Sequence, residues 1–130
     1  MINVAADSQA DRLEEVSSAR SISISENVVV VDFSNLGPNS TYYRVWLDRQ
    51  PVLVAFIGGP SGYGTCSFVV RNFATAEALY GSEGLLPHYG NLDPPGCGGR
   101  EIIGGSHRTR KVNWDTAIEL GRQLDSFIRK

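Results

Sequence analysis

Two short, almost wholly apolar runs constrain this chain most. "NVVVVDF" occupies residues 27–33 and "VLVAFI" residues 52–57, and both are rich in β-branched side chains. β-branching stiffens χ1 and suits a pleated surface, and apolar residues on successive positions demand cover on both faces. Each run is too short for a buried helix, so both are predicted as inner strands of a sheet. A chain of 130 residues has the length of one domain with a core of its own.

The segments around these runs extend the pattern. "SISIS" at 21–25 alternates with period two, which predicts a half-buried strand. Glu26-Asn27 separates it from the valines, so the two form either a hairpin or one long kinked strand. "SNLGPNS" is a loop by composition. "TYYRVWL" at 41–47 is read as a strand with Tyr43, Val45 and Leu47 on one face and Tyr42, Arg44 and Trp46 on the other. "DRQP" turns into "VLVAFI", and "CSFVVRN" at 66–72 is a further strand. Residues 20–71 thus read as an antiparallel meander of four or five strands.

Helical signals lie at the ends and in the middle. "DSQADRLEEVSSAR" supports a short first helix with a thin stripe of Ala10, Leu13 and Val16, capped by Asp7 or Ser8. "NFATAEALYG" supports two turns, with Asn72 as cap and Gly81 as stop. "REIIGG" returns a last strand. In "NWDTAIELGRQLDSFIRK", Ala117, Leu120, Gly121, Leu124, Phe127 and Ile128 make one apolar stripe, behind a cap at Asn113 or Asp115. Arg129 and Lys130 suit the negative end of that helix. The predicted class is α+β: an antiparallel sheet meander packed by a C-terminal amphipathic helix, with one or two further short helices.

The glycine-rich stretch "GGPSGYG" at 58–64 has the spacing of a phosphate loop between Gly59 and Gly64. A phosphate loop also needs a lysine after the last glycine and a helix beginning there. Thr65 and Cys66 stand in the lysine and hydroxyl positions, and "SFVVR" follows with strand character. The stretch is therefore a hairpin turn, with Tyr63 as an aromatic at its tip. "SEGLLPHYGNLDPPGCGG" at 82–99 is a long loop of the kind that carries function.

Cys66, His88, Cys97 and His107 are zinc-ligand types, but no two have the close C-x2-C or H-x3-H spacing, so no metal and no other cofactor is expected. Cys97 with His88 or His107, oriented by Asp93, is the best nucleophile–base reading, and a Ser61 or Ser106 pair is weaker. "HRTRK" at 107–111 offers Arg108, Arg110 and Lys111 to phosphate or nucleic acid. The formal net charge of -2 argues against a polyanionic partner or a membrane surface. The start "MINVAADSQADRLEE" carries no secretory pattern, no run reaches the ~18 residues of a membrane span, and a cytoplasmic setting with reduced thiols is expected.

"YYRVWLDRQPVLVAFIGGPSG" and "KVNWDTAIELGRQLDSFI", within residues 41–128, resemble the small immunity proteins of bacterial polymorphic toxin systems. The shared pattern is a β-rich centre, a variable loop rich in glycine with aspartate, and a last helix behind a polar strand end. The resemblance implies a bacterial, cytoplasmic, non-catalytic protein that binds and blocks a toxin enzyme. The expected function is thus protein binding through the 58–65 and 84–100 loops, with Tyr63, Tyr89, Arg100, Arg108 and Arg110 as contacts. The alternatives are a small Cys97 enzyme and a nucleic-acid-binding module.

Overall fold

The computed structural model describes residues 12–129. The fold is α+β with a mostly antiparallel six-stranded sheet. Its strands are β1 (Ser21–Ser23), β2 (Val28–Asp32), β3 (Val52–Gly58), β4 (Gly64–Val70), β5 (Gly98–Gly99) and β6 (Ile103–Gly105), in the spatial order β1-β2-β3-β4-β6-β5. Three α-helices accompany it: α1 (Ser40–Leu47), α2 (Phe73–Tyr80) and α3 (Trp114–Ser126). Residues 12–17 are also helical, and a 3-10 turn spans Leu86–Asn91.

The two apolar runs are the inner strands. Val28 to Val31 and Val52 to Ala55 are all 0–1% exposed. Successive side chains alternate between two cores, as the period of a strand requires. Val28, Val30, Val52 and Val54 meet Ala117, Leu120 and Leu124 of α3 on one face. Val29, Val31, Leu53 and Ala55 meet Val16, Trp46 and Leu47 on the other. Each such buried side chain contributes roughly 1.5–3 kcal/mol relative to exposure.

One expected strand is a helix. Residues 41–47 form most of α1, and the meander is broken there. Asn39 begins the helix, since its Oδ1 accepts from the N–H groups of Thr41 and Tyr42 at 2.9 and 3.3 Å. Tyr43, Trp46 and Leu47, spaced by three and four, form its buried face, and Arg44 points to solvent. Trp46 Nε1 donates to the Val16 carbonyl at 2.9 Å, fixing α1 against the residues 12–17 segment. The aromatic and β-branched composition favours strand only weakly, and tertiary burial overrides it. The consequence is topological. A helix between β2 and β3 makes a crossover, and those strands pair in parallel.

The remaining elements follow the sequence closely. β1 and β2 form a hairpin, settling the ambiguity at Glu26-Asn27. Asn72 caps α2 through a 2.8 Å bond from Thr75 N–H, and Gly81 ends it at φ 105. Asn113, not Asp115, caps α3, accepting from Thr116 N–H at 2.9 Å. That helix stops at Ser126, so Arg129 lies beyond its last turn. Of the first helix, Val16 is buried, whereas Asp7, Ser8 and Ala10 lie outside the described residues. The 58–64 stretch is the β3–β4 hairpin turn: Gly58 pairs with Gly64, Gly59 N–H donates to the Tyr63 carbonyl at 2.9 Å, and a strand follows instead of a helix.

α3 approaches β2 closely at Gly121. A Cβ there would stand 2.5 Å from Val30 Cγ2 and 3.3 Å from Ile24 Cγ1. Gly121→Ala is therefore expected to destabilise the protein by about 1–3 kcal/mol through overpacking, exceeding the ~1 kcal/mol that alanine gains in helix propensity. Urea unfolding monitored by tryptophan fluorescence checks this; an unchanged or higher midpoint would mean that α3 stands off from the sheet.

Candidate functional site

Among the described residues, the second face of the sheet is covered only in part. Across the sheet one row of paired residues reads Val31, Ala55, Ser67, Gly105 and Gly98, from β2 to β5. Its side chains shrink along the row. Val31 and Ala55 lie beneath α1 and the residues 12–17 segment, whereas Ser67 and Gly105 are half-buried and Gly98 is exposed. Ile103, paired with Val69 on the same face, is 55% exposed. This uncovered end is a trough of about 720 Å³, floored by Ser67 and Gly105 and walled by Gly98, Arg100, His107 and Arg108.

Close backbone approach builds the trough. Gly99 has φ 148, and any Cβ on it would strike the Gly104 Cα of the neighbouring strand. A Cβ on Gly104 would strike the Tyr89 hydroxyl. Tyr89 is buried beneath this hairpin and its Oη donates to the Arg100 carbonyl at 2.5 Å. Burial, with Glu101 and Cys97 nearby, pushes the Tyr89 phenol up, so it remains a donor. Ser106 Oγ accepts from Cys66 N–H at 2.9 Å, and Ser106 N–H donates to the Cys66 carbonyl at 3.0 Å, pinning the exit of β6 to β4. The other wall is shaped by the long loop, which Asp93 fastens to α3 by two bonds with the Gln123 amide, 2.9 and 2.8 Å.

The charge on the trough is one-sided. Arg100 and Arg108 are exposed, and among the described residues neither guanidinium has a carboxylate within ion-pair distance. His107 Nδ1 accepts from the N–H groups of Thr109 and Arg110 at 3.1 and 3.3 Å, with the Thr109 hydroxyl also at 3.0 Å. That network places the proton of a neutral His107 on Nε2, making it a donor. No carboxylate lines the trough among the described residues. Two other depressions are of mixed sign. One holds Arg20 with Asp32 and Asp115, the other Arg110 and Lys111 with Asp93 and Glu119.

The five expected contact residues are thus divided. Arg100 and Arg108 share the trough. Tyr63, 53% exposed, and Arg110 share the separate mixed-sign groove. Tyr89 corrects the expectation of an exposed anchor: at 6% exposure its ring is a buttress beneath β5 and β6. Ser67 and Gly105 belong to no chemical motif in the sequence, and Ser106 stands in it only as a weak nucleophile candidate. Their signal is the recurrence of a glycine pair on each side of "REII" in "GGREIIGG", which lets two strand backbones lie flat against each other.

No family model matches the chain, and no curated protein matches it. Among solved structures, the pGpG-specific phosphodiesterase PggH from Vibrio cholerae superposes with a TM-score of 0.56 at 12% sequence identity. The match covers 93% of this chain and 39% of that one, so this chain spans well under half the length of the neighbour. The likeness is one of fold.

Burial favours the protonated form of both thiols. Burial, with Cys97 nearby, pushes the Cys66 thiol up to about 12, and burial also raises Cys97. Cys97 Sγ meets the Pro94 carbonyl at 3.5 Å, while His88 is stacked on Phe127 at 5.2 Å. A nucleophilic cysteine needs the opposite shift, from a neighbouring cation or helix N-terminus. Both cysteines are therefore expected to alkylate more slowly than free cysteine at pH 7, with Cys66 reacting only on unfolding. Iodoacetamide kinetics with mass-spectrometric readout check this, and a Cys97 faster than free cysteine would favour the enzyme alternative.

Proposed function

We propose that this chain is a binding domain for a small phosphate-bearing ligand, taken up in the trough beside Gly98, Gly105, Arg100 and Arg108. The observation that carries this reading is the charge of the walls: two uncommitted guanidiniums, a His107 Nε2 donor and no carboxylate among the described residues. Guanidinium forks match phosphate oxygens bidentately. The bare glycine floor lets a ligand reach the backbone itself. The volume of 720 Å³ exceeds the needs of a bare phosphate and falls in the usual range for small-molecule sites. The exposed Ile103 side chain on the same face supplies an apolar contact. A nucleotide combines these requirements. The fold neighbour is itself named for action on pGpG, which makes pGpG the first ligand to try.

A second reading keeps the expected protein-binding role, as an immunity protein or inhibitor, for the hairpin tip. It is favoured by the exposure of Tyr63 beside Arg110 in a groove of mixed charge, since Tyr and Arg dominate interface hot spots. The two readings use different residues, so they separate cleanly. Tyr63→Ala is expected to abolish co-purification of the tagged chain with the product of an adjacent gene while leaving pGpG binding intact. Co-purification that survives the substitution would end this second reading.

Calorimetric titration with pGpG, GMP and inorganic phosphate tests the first. Arg100→Ala and Arg108→Ala are each expected to weaken pGpG binding by about 10-fold or more, the value of a charge-assisted hydrogen bond. Raising the salt concentration should weaken the wild type as well, because both guanidiniums are at the surface. Absence of binding by all three probes at low salt would overturn the proposal.

A further inference from the structure

We infer that the trough measures the length of its ligand: it takes an elongated molecule with two separated anionic groups, a terminal phosphate at His107 and Arg108 and a second anion at Arg100. The inference deepens the reading of the trough as a phosphate-ligand site and rests on it.

Backbone register sets the spacing. Gly98 pairs with Gly105, and Gly105 pairs with Ser67 across the next ladder. The pairing of β5 with β6 stays in step beyond both ends of β5. On one side Arg100 N–H donates to the Ile103 carbonyl at 2.6 Å. On the other, a Cβ on Gly96 would strike the His107 ring. Residues two apart on a strand face the same way. Three successive rows therefore cross the trough. The first holds His107 and Gly96, the second Ser67, Gly105 and Gly98, and the third Ile103 and Arg100. The two end rows lie about 13 Å apart along β6, the rise of four antiparallel residues.

Cationic donors stand at the ends of this span and not in its middle. The middle row offers a serine hydroxyl and two glycine backbones. His107 cannot carry its donor inward, because the N–H groups of Thr109 and Arg110 hold Nδ1 at 3.1 and 3.3 Å and Gly96 backs the ring. Arg108 follows His107 and lines the same end, whereas Arg100 is anchored where β5 turns into β6. Neither guanidinium has a carboxylate partner among the described residues. Each is free to take an anion where it stands, and their like charges keep them apart. A single phosphate fills one end and leaves the other unanswered. A ligand with two anions answers both, and its more highly charged terminal phosphate belongs at the end with two donor side chains.

The test pairs ligand and protein deletions in calorimetric titrations. pGpG carries a terminal phosphate and one between its nucleosides, GpG keeps only the second, and GMP has only the first. Wild-type protein is expected to bind pGpG about 10-fold or more tighter than either GMP or GpG. Arg108→Ala should weaken pGpG and GMP by about 10-fold and leave GpG within about twofold. Arg100→Ala should weaken pGpG and GpG by a similar factor and leave GMP unchanged. Both side chains are exposed, so the free variants should melt with the wild type. If Arg100→Ala and Arg108→Ala both weaken GMP as much as pGpG, the two guanidiniums converge on one anion: the length reading is wrong and the trough reading stands. Equal wild-type affinity for GMP and pGpG would overturn it in the same way. If the wild type binds none of the probes, both readings fall together.

Discussion

The parallel pairing of β2 with β3 is the constraint on which the rest of the molecule depends. Five residues of each strand are in register, from Val28 with Val52 to Asp32 with Phe56. Because these strands are apolar on both sides, neither face can be left to water, and helices must lie on both. α3 answers on one face and α1 on the other, and α1 is also the crossover that makes parallel pairing possible. The strand ends are tied as well. The Asp32 carboxylate accepts from Arg20 at 2.8 Å and from the Ser34 hydroxyl at 2.5 Å, and Ser34 Oγ accepts from Gly58 N–H at 2.8 Å. Burial alone would raise the Asp32 pKa, but the Ser34 bonds and the Arg20 guanidinium outweigh it and hold it low. Arg20 in turn lies over the Trp114 ring at 4.3 Å, joining the first strand to the start of α3.

The trough is what remains where that cover runs out. β4, β6 and β5 extend the sheet by antiparallel pairing, and the connection that carries α2 and the long loop packs on the first face, so it brings no helix to the second. Side chains there diminish to serine and glycine, so the sheet surface stays open without exposing a large apolar patch. Support comes from behind instead. The long loop packs Leu85, Tyr89 and Leu92 into the core of the first face, and Tyr89 carries the hairpin on its hydroxyl. The loop is thus structural on one side and shapes the trough wall on the other.

Legibility follows the same division. The valine runs, both asparagine caps and the apolar stripe of the last helix are strong local signals, and each stands where sequence places it. "TYYRVWL" is ambiguous in principle. Tyr43 and Leu47 satisfy an alternation and a helical spacing equally, and only the Asn39 cap and the covering demand of β2 and β3 decide between them. Arg100 and Arg108 are legible as arginines in glycine-rich surroundings, but their meeting at one trough depends on strand order, which no local pattern encodes. Tyr89 misleads because tyrosine in a loop suggests an exposed anchor, whereas here the loop folds its aromatic inward.

β5 holds a consequence for how the protein breathes. It consists of two glycines, joined to β6 by backbone bonds alone, at the margin of the sheet. With no side chain to resist fraying, this seam opens before any other part of the sheet, while the valine strands exchange their amide protons only with global unfolding. The trough wall that carries Arg100 is therefore the loosest border of a rigid body. A ligand bridging Arg100 and Arg108 would act as a staple across that border, and slowed amide exchange at Gly98, Gly99 and Gly104 would be its most sensitive trace.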